Sequence, residues 1–122
     1  MGTTCLIEDV AFHIQDLPEA VADLQDLMEK HGYHDACIYG HSLEGNFHFI
    51  INQSFDTEQE IQRYESLMND VIALVVDKYD GSLKAEHGTG RNMAPFVEYE
   101  WGKETFEVMK AVKKLFDPKN LM

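Results

Sequence analysis

Two short apolar segments, residues 36–41 and 46–52, flank a polar loop that contains Gly45. Two such segments around a short glycine-containing loop predict a β-hairpin. Because side chains alternate along a strand, the aromatic and aliphatic residues at 47, 49 and 51 project to one face and His48 projects to the other. The first face is suited to pack under helices, so His48 is expected on the open face of the sheet.

Amphipathic helices are predicted on both sides of this hairpin. The first begins near Asp16, whose carboxylate is placed to cap the helix while Glu19 reaches back, and it ends at Gly32. The second begins at Asp56, carries a broad apolar face, and ends at Asp80. Each apolar face needs a sheet or another helix to cover it.

The remaining segments complete the order of elements. A strand is predicted at residues 5–12, a short extended segment at 82–86, and helical turns from Pro95 to a last helix that stops before Pro118. The order is therefore strand, helix, strand, strand, helix, short strand, helices. It predicts a single domain over residues 1–122 with an α+β fold, in which an antiparallel sheet carries helices on one face, broadly ferredoxin-like.

Charge and cysteine content limit the class of protein. The chain has 22 acidic and 10 basic residues, for a net charge of −12. Such a surface repels the phosphate backbone, which argues against a nucleic-acid partner. Two cysteines, Cys5 and Cys37, are too few for a secreted disulfide scaffold and predict reduced core thiols. No apolar run reaches the roughly 18 residues needed to span a bilayer, and no signal-peptide pattern is present, so a cytoplasmic protein is expected.

The length of the hairpin loop decides whether His41 and His48 can meet. A four-residue loop over 42–45 pairs His41 with Asn46 and places it one diagonal step from His48, whereas a six-residue loop places the two histidines directly opposite. Either even length puts both imidazoles on one face. An odd loop or a bulge separates them, leaving two unrelated surface histidines.

A second glycine-rich segment adds Glu86 and His87. Two histidines and a carboxylate form a donor set for zinc, manganese or iron. His87 follows Glu86 directly, so on an extended segment it points to the other side unless the backbone turns near Gly88. A histidine beside the ligands suits a general base, because imidazole titrates near neutrality. The alternative is a histidine that only hydrogen-bonds a ligand.

Together these segments resemble a known family. The matching pieces are Gly40–His41, Glu44–His48, Ser82, Ala85–Arg91 and Lys114–Met122. They are similar to the C-terminal domain of FAD-linked oxidases of the vanillyl-alcohol oxidase type. The resemblance is to the 2-hydroxy-acid group, which includes D-lactate dehydrogenase, the flavin subunit of glycolate oxidase and D-2-hydroxyglutarate dehydrogenase.

The resemblance implies a role for each site residue. His41, His48 and Glu86 match the positions that bind a divalent metal, zinc or manganese. His87 matches the proposed base, and Asn46 matches a polar residue that lines the substrate site. The implied reaction is oxidation of a D-2-hydroxy acid to the 2-oxo acid, with hydride transfer to FAD. Which residues of this chain contact the flavin is unknown.

The resemblance also implies that the chain is the C-terminal part of a longer flavoprotein. The FAD-binding domain is absent, so the chain alone is expected to be inactive. Implied partners are a small 2-hydroxy acid, the missing FAD-binding domain, an unidentified electron acceptor and a second copy in a homodimer. In the full-length protein the location is either cytoplasmic or peripheral to the inner membrane. The alternative is a stand-alone metal- or ligand-binding module without redox activity.

One position departs from the family pattern, and one pair of acids matches it with two possible roles. Position 44 is Glu where the family most often has Asp. Glu8 and Asp9 match paired acids on a family strand. They are either partners of the metal ligands or exposed acids of an edge strand.

Overall fold

The structure is a computed structural model that describes residues 2–122. Three strands and four α-helices occur in the order β1 (Thr4–Ala11), α1 (Leu17–Lys30), β2 (Cys37–His41), β3 (Asn46–Gln53), α2 (Glu58–Ile72), α3 (Gly90–Met93) and α4 (Val97–Phe116). Short 3₁₀ turns precede α1, join β2 to β3 and precede α4, and a π-helical segment, Ala73–Lys78, continues α2. The chain divides into two compact units, Met1–Gly88 and Thr89–Met122.

The first unit contains a three-stranded antiparallel sheet in the order β1-β3-β2. This confirms the α+β prediction. The short strand predicted at residues 82–86 is reduced to one bridge, in which Ser82 and Ala11 exchange backbone hydrogen bonds of 2.9 Å. A longer ladder does not form because the amides of residues 85–87 donate to the carboxylate of Asp9 instead.

One face of the sheet contributes to the hydrophobic core, as the alternation in β3 predicts. Phe49 and Ile51 are 0% and 1% exposed. The buried apolar residues of α1, α2 and β1 complete this core: Val10, Leu17, Ala20, Leu24, Met28, Leu67, Met68, Val71 and Ile72. The other face carries His48, which is also buried, because segment 82–88 lies over that end of the sheet.

The helix boundaries follow the predictions, with two differences in capping. Asp16 occupies the N-cap position of α1 but makes no side-chain cap bond, because the helix continues directly from a 3₁₀ turn. α2 is capped by Thr57, not by Asp56: Thr57 Oγ1 accepts the Glu60 N–H at 3.3 Å, and Glu60 Oε2 accepts the Thr57 N–H at 3.2 Å. This reciprocal pair satisfies two amides that the helix itself leaves free.

The prediction of two core cysteines is wrong. Cys5 and Cys37 are free thiols, as expected, but both are exposed. The register explains this result, because Cys5 pairs with Asn52 and Cys37 pairs with Ile50. Both thiols therefore lie on the face of the sheet that is opposite the core.

The second unit consists of α3, a 3₁₀ turn and α4. Gly102 lies within α4 at φ 76° and ψ 161° and marks a kink. Asp117 accepts the amide N–H groups of Leu121 and Met122 and pairs with the Lys113 ammonium group. Lys113 first, and then these amides, lower the pKa of Asp117 to about 2. No helix in residues 2–122 has both the length and the apolar character needed to cross a bilayer.

Gly45→Ala should destabilise the chain more than Gly32→Ala does. Both glycines have left-handed backbones, at φ 72° and 76°. A Cβ at Gly45 would lie 2.2 Å from the Phe12 carbonyl oxygen, whereas a Cβ at Gly32 meets nothing within 4 Å. Gly32→Ala should cost about 1 kcal/mol of unfolding free energy, from backbone strain alone. Gly45→Ala should cost at least about 1 kcal/mol more, because the backbone must move.

Urea denaturation of the two variants measures this difference directly. Equal losses would show that the β2–β3 loop tolerates displacement from Phe12. Since this loop sets the register of His41, such a result would also weaken the account of the site given below.

Candidate functional site

The open face of the sheet brings the predicted site residues together in two rows. Asp9 and Tyr39 both pair with His48 across β3, and His41 pairs with Asn46 in the next row. The loop between the strands is the four-residue form, a 3₁₀ turn over Ser42–Glu44 followed by Gly45 in the left-handed conformation. His41 and His48 therefore lie on the same face, one diagonal step apart.

Glu86 completes this arrangement from the segment that covers the sheet. Its Oε1 atom lies 3.0 Å from His48 Nε2 and 3.2 Å from His41 Nε2. The two imidazole rings meet edge to face, with centroids 5.6 Å apart and planes at 89°. The three residues offer ligand atoms that all lie within 4.8 Å of one another. Three residues far apart in the sequence thus converge on one point.

The geometry of this cluster fits a small divalent cation. Metal–ligand distances of about 2.0–2.1 Å imply ligand–ligand separations of about 3.3 Å in a tetrahedral zinc site. The Nε2–Oε1 distances of 3.0 and 3.2 Å are close to that value. The other nitrogen of the His48 ring, Nδ1, is buried without a hydrogen-bond partner, and so is Asn46 Oδ1. Buried polar atoms are rarely left unpaired, so each is a candidate contact for a bound water, ion or ligand.

A second cluster, Asp9 with His48 and His87, fits a cation less well. Its ligand atoms also lie within 4.8 Å of one another. However, the His48 and His87 rings stack, with centroids 4.5 Å apart and planes at 15°. A metal ion lies in the plane of each imidazole that binds it, and stacked rings do not share such a position. The Oδ2 atom of Asp9 already accepts three amides.

His87 lies beside the first cluster. Its Nε2 atom is 3.8 Å from Glu86 Oε1, and about half of its side chain is exposed. Gly88, the next residue, adopts φ 74°, as the turn expected near this glycine allows. Glu86 and His87 face the same histidines although they are adjacent in the chain.

Asn46 lines an open pocket next to the cluster. The pocket has a volume of about 500 Å³, and its lining residues are Ala11, His41, Glu44, Asn46, Lys84, Ala85 and Glu86. Asn46 is 6% exposed. Its Oδ1 atom is buried and unpaired, and Lys84 adds a cation to the pocket lining.

The sequence left two alternatives for Asp9, a partner of the metal ligands or an exposed acid of an edge strand. Asp9 is 2% exposed, which excludes the exposed edge-strand acid. The feature that would have identified Asp9 as a site residue is its register, since it lies directly opposite His48 in the β1–β3 ladder. That register depends on pairing between β1 and β3, which no local pattern determines. Lys84 and Tyr39 were not singled out, because each is an unremarkable residue of its segment.

Comparison with known proteins adds the family. The whole chain, residues 1–122, matches the family described as "FAD linked oxidases, C-terminal domain". It is 28% identical to glycolate oxidase subunit GlcD of Bacillus subtilis over 119 residues, 98% of this chain and 25% of that protein. It is 31% identical to D-2-hydroxyglutarate dehydrogenase of Stutzerimonas stutzeri over 117 residues, 93% of this chain and 25% of that protein.

A relative from a plant shows the same relation. The chain is 30% identical to the mitochondrial cytochrome-type D-lactate dehydrogenase of Arabidopsis thaliana over 123 residues, 99% of this chain and 21% of that protein. The chain thus spans a quarter or less of the length of these relatives, all of which carry the names of dehydrogenases or oxidases. The match over every residue, together with the resemblance in its motifs, shows that this chain belongs to the FAD-linked oxidase family, as a C-terminal domain.

Proposed function

We propose that this chain is the substrate- and metal-binding part of a longer FAD-dependent enzyme that oxidises a D-2-hydroxy acid to the 2-oxo acid. The observation that carries the proposal is the convergence of His41 Nε2 and His48 Nε2 on Glu86 Oε1, beside a pocket of about 500 Å³. The names of the relatives support the substrate class, since glycolate, D-2-hydroxyglutarate and D-lactate are all 2-hydroxy acids.

Each residue has a task in this proposal. His41, His48 and Glu86 hold a divalent cation, zinc or manganese. The cation supplies a Lewis acid for the substrate hydroxyl, and FAD, bound mainly outside this chain, supplies the hydride acceptor. Asn46 orients the substrate through its buried amide. His87, whose Nε2 is 3.8 Å from Glu86 Oε1, accepts the hydroxyl proton.

The position of His87 favours proton transfer over ligation. Its ring stacks on His48, and its Nε2 atom lies 3.8 Å from Glu86 Oε1, farther than the 3.2 and 3.0 Å of His41 and His48. With about half of its side chain exposed, it has a path by which a proton can pass to solvent. Asn46 lines the pocket, and its buried Oδ1 atom has no hydrogen-bond partner among the described residues.

One alternative has its own support. All of the proposed ligands lie within the first unit, so the chain alone is a candidate for a binding module without redox activity. A homodimer, a separate electron acceptor and a cytoplasmic or membrane-peripheral location stay predictions.

Assays on the proposed full-length flavoprotein separate these functions. We expect dye-linked oxidation of at least one of D-lactate, D-2-hydroxyglutarate and glycolate. Activity should fall on treatment with a chelator and return with zinc or manganese. The L-enantiomers of lactate and 2-hydroxyglutarate serve as matched controls and should react poorly. Zinc binding without oxidation of any 2-hydroxy acid would favour the binding module, and chelator-resistant oxidation would contradict a role for the metal.

A further inference from the structure

Asp9 is a buried carboxylate on the open face of β1. It is 2% exposed, and it lies directly opposite His48 in the β1–β3 ladder. Removing a carboxylate from water is costly unless hydrogen bonds or charges compensate it. Some feature of the fold must therefore stabilise Asp9 in this position.

Three successive backbone amides provide that compensation. The N–H groups of Ala85, Glu86 and His87 donate to Asp9 Oδ2 over 3.2, 2.5 and 2.9 Å. Successive amides that converge on one oxygen form a concave anion-binding arrangement of the main chain. Hydrogen bonds to a charged acceptor are about twice as strong as neutral ones.

This contact determines the path of a segment that has little regular structure. Residues 83–88 belong to no helix or strand, and the bridge between Ala11 and Ser82 ends just before them. By gathering three amides at one point, Asp9 curves the backbone. The curve brings consecutive side chains, Glu86 and His87, to the same group of imidazoles. A straight extended segment would have pointed them in opposite directions.

We propose that Asp9 is a positioning residue for the metal site: its carboxylate holds the 85–87 backbone so that Glu86 meets His41 and His48. The inference rests on the proposed function, because it assigns Asp9 a role toward the cation that those residues would hold. Asp9 itself contacts neither cation nor substrate in this scheme. Because Asp9 pairs with His48 in the β1–β3 ladder, the same strand pair positions both His48 and the segment that carries Glu86.

Asp9→Asn in the 122-residue chain tests this role with two separate readouts. The amide hydrogen exchange rates of residues 85–87, measured by NMR, should increase at least about tenfold. The reason is that the neutral amide oxygen of Asn is a weaker acceptor than the carboxylate of Asp9. Zinc affinity should fall about 10- to 100-fold, the range found when a group that orients a metal ligand is lost. Glu8→Gln is the matched control, since it removes the neighbouring acid from the other face of β1, and it should change neither readout.

The two readouts distinguish the possible outcomes. Unchanged exchange at 85–87 would overturn the anchoring role, and faster exchange with unchanged zinc affinity would overturn the positioning role. If wild-type chain binds no zinc, the proposed function fails, and the exchange measurement then decides alone whether Asp9 holds the segment. If Asp9→Asn does not fold, wild-type exchange decides: amides 85–87 as unprotected as exposed loop amides would overturn the proposal.

Discussion

Replacing His41 by alanine should weaken zinc binding by the 122-residue chain at least about 100-fold, because loss of a direct ligand should exceed the 10- to 100-fold cost of losing a group that only orients one. His41 Nε2 lies 3.2 Å from Glu86 Oε1, and its side chain is 59% exposed. Its removal therefore leaves the core intact. Isothermal titration with zinc and with manganese measures the change.

His34→Ala is the matched control for this experiment. His34 is also exposed, at 72%, and it also lies next to a carboxylate, with His34 Nδ1 2.6 Å from Glu29 Oε2. Unlike His41, it belongs to neither of the two candidate metal clusters found among the described residues. The control should bind zinc as the wild-type chain does. Equal losses in the two variants, or no loss in His41→Ala, would show that the ion binds elsewhere.

Replacing His87 by alanine in the proposed full-length enzyme should lower turnover about 10²- to 10⁴-fold, the usual contribution of a positioned general base. Zinc affinity should stay within about threefold of the wild type, because the His87 ring stacks on His48 and lies outside the set of ligands. Steady-state kinetics and metal titration on the same preparation measure the two effects. His34→Ala again provides a control that removes one histidine far from the cluster.

The split between turnover and binding is the decisive part of this result. An equal loss of substrate affinity and turnover would mean that His87 binds substrate and does not move a proton. A loss of zinc affinity as large as that of His41→Ala would place His87 among the ligands instead.

The sequence predicts the condition under which His41 and His48 meet. Strand alternation places His48 on the face opposite the core-facing Phe49, and any even loop length brings His41 to the same face. Both inferences depend on local geometry, which side-chain periodicity expresses directly. The choice between a four- and a six-residue loop needed the structure, because each satisfies the same pattern.

Other features depend on contacts between distant segments. The path of residues 85–87 follows from Asp9, more than 70 positions earlier, and no local pattern encodes that pairing. The exposure of Cys5 depends in the same way on the register between β1 and β3. The cap of α2 differs for a smaller reason, since Thr57 and Asp56 are both competent caps one residue apart.

His31 also has a partner that no local pattern in the sequence indicates. Its side chain is only 12% exposed, and its Nε2 atom lies 2.8 Å from Asp70 Oδ2 on α2. Together with the Lys30 ammonium group, at 2.6 Å, it lowers the pKa of Asp70. Packing of α1 against α2 brings His31 and Asp70 together, and no local sequence pattern predicts that contact.

X-ray absorption at the zinc edge, on zinc-loaded chain, tests the central claim most directly. The account predicts two imidazole nitrogens and a carboxylate oxygen at about 2.0–2.1 Å, with one imidazole lost in His41→Ala. The exposed thiols of Cys5 and Cys37 are the competing donors. A shell of sulfur at about 2.3 Å, or of oxygen alone, would contradict a site built from His41, His48 and Glu86.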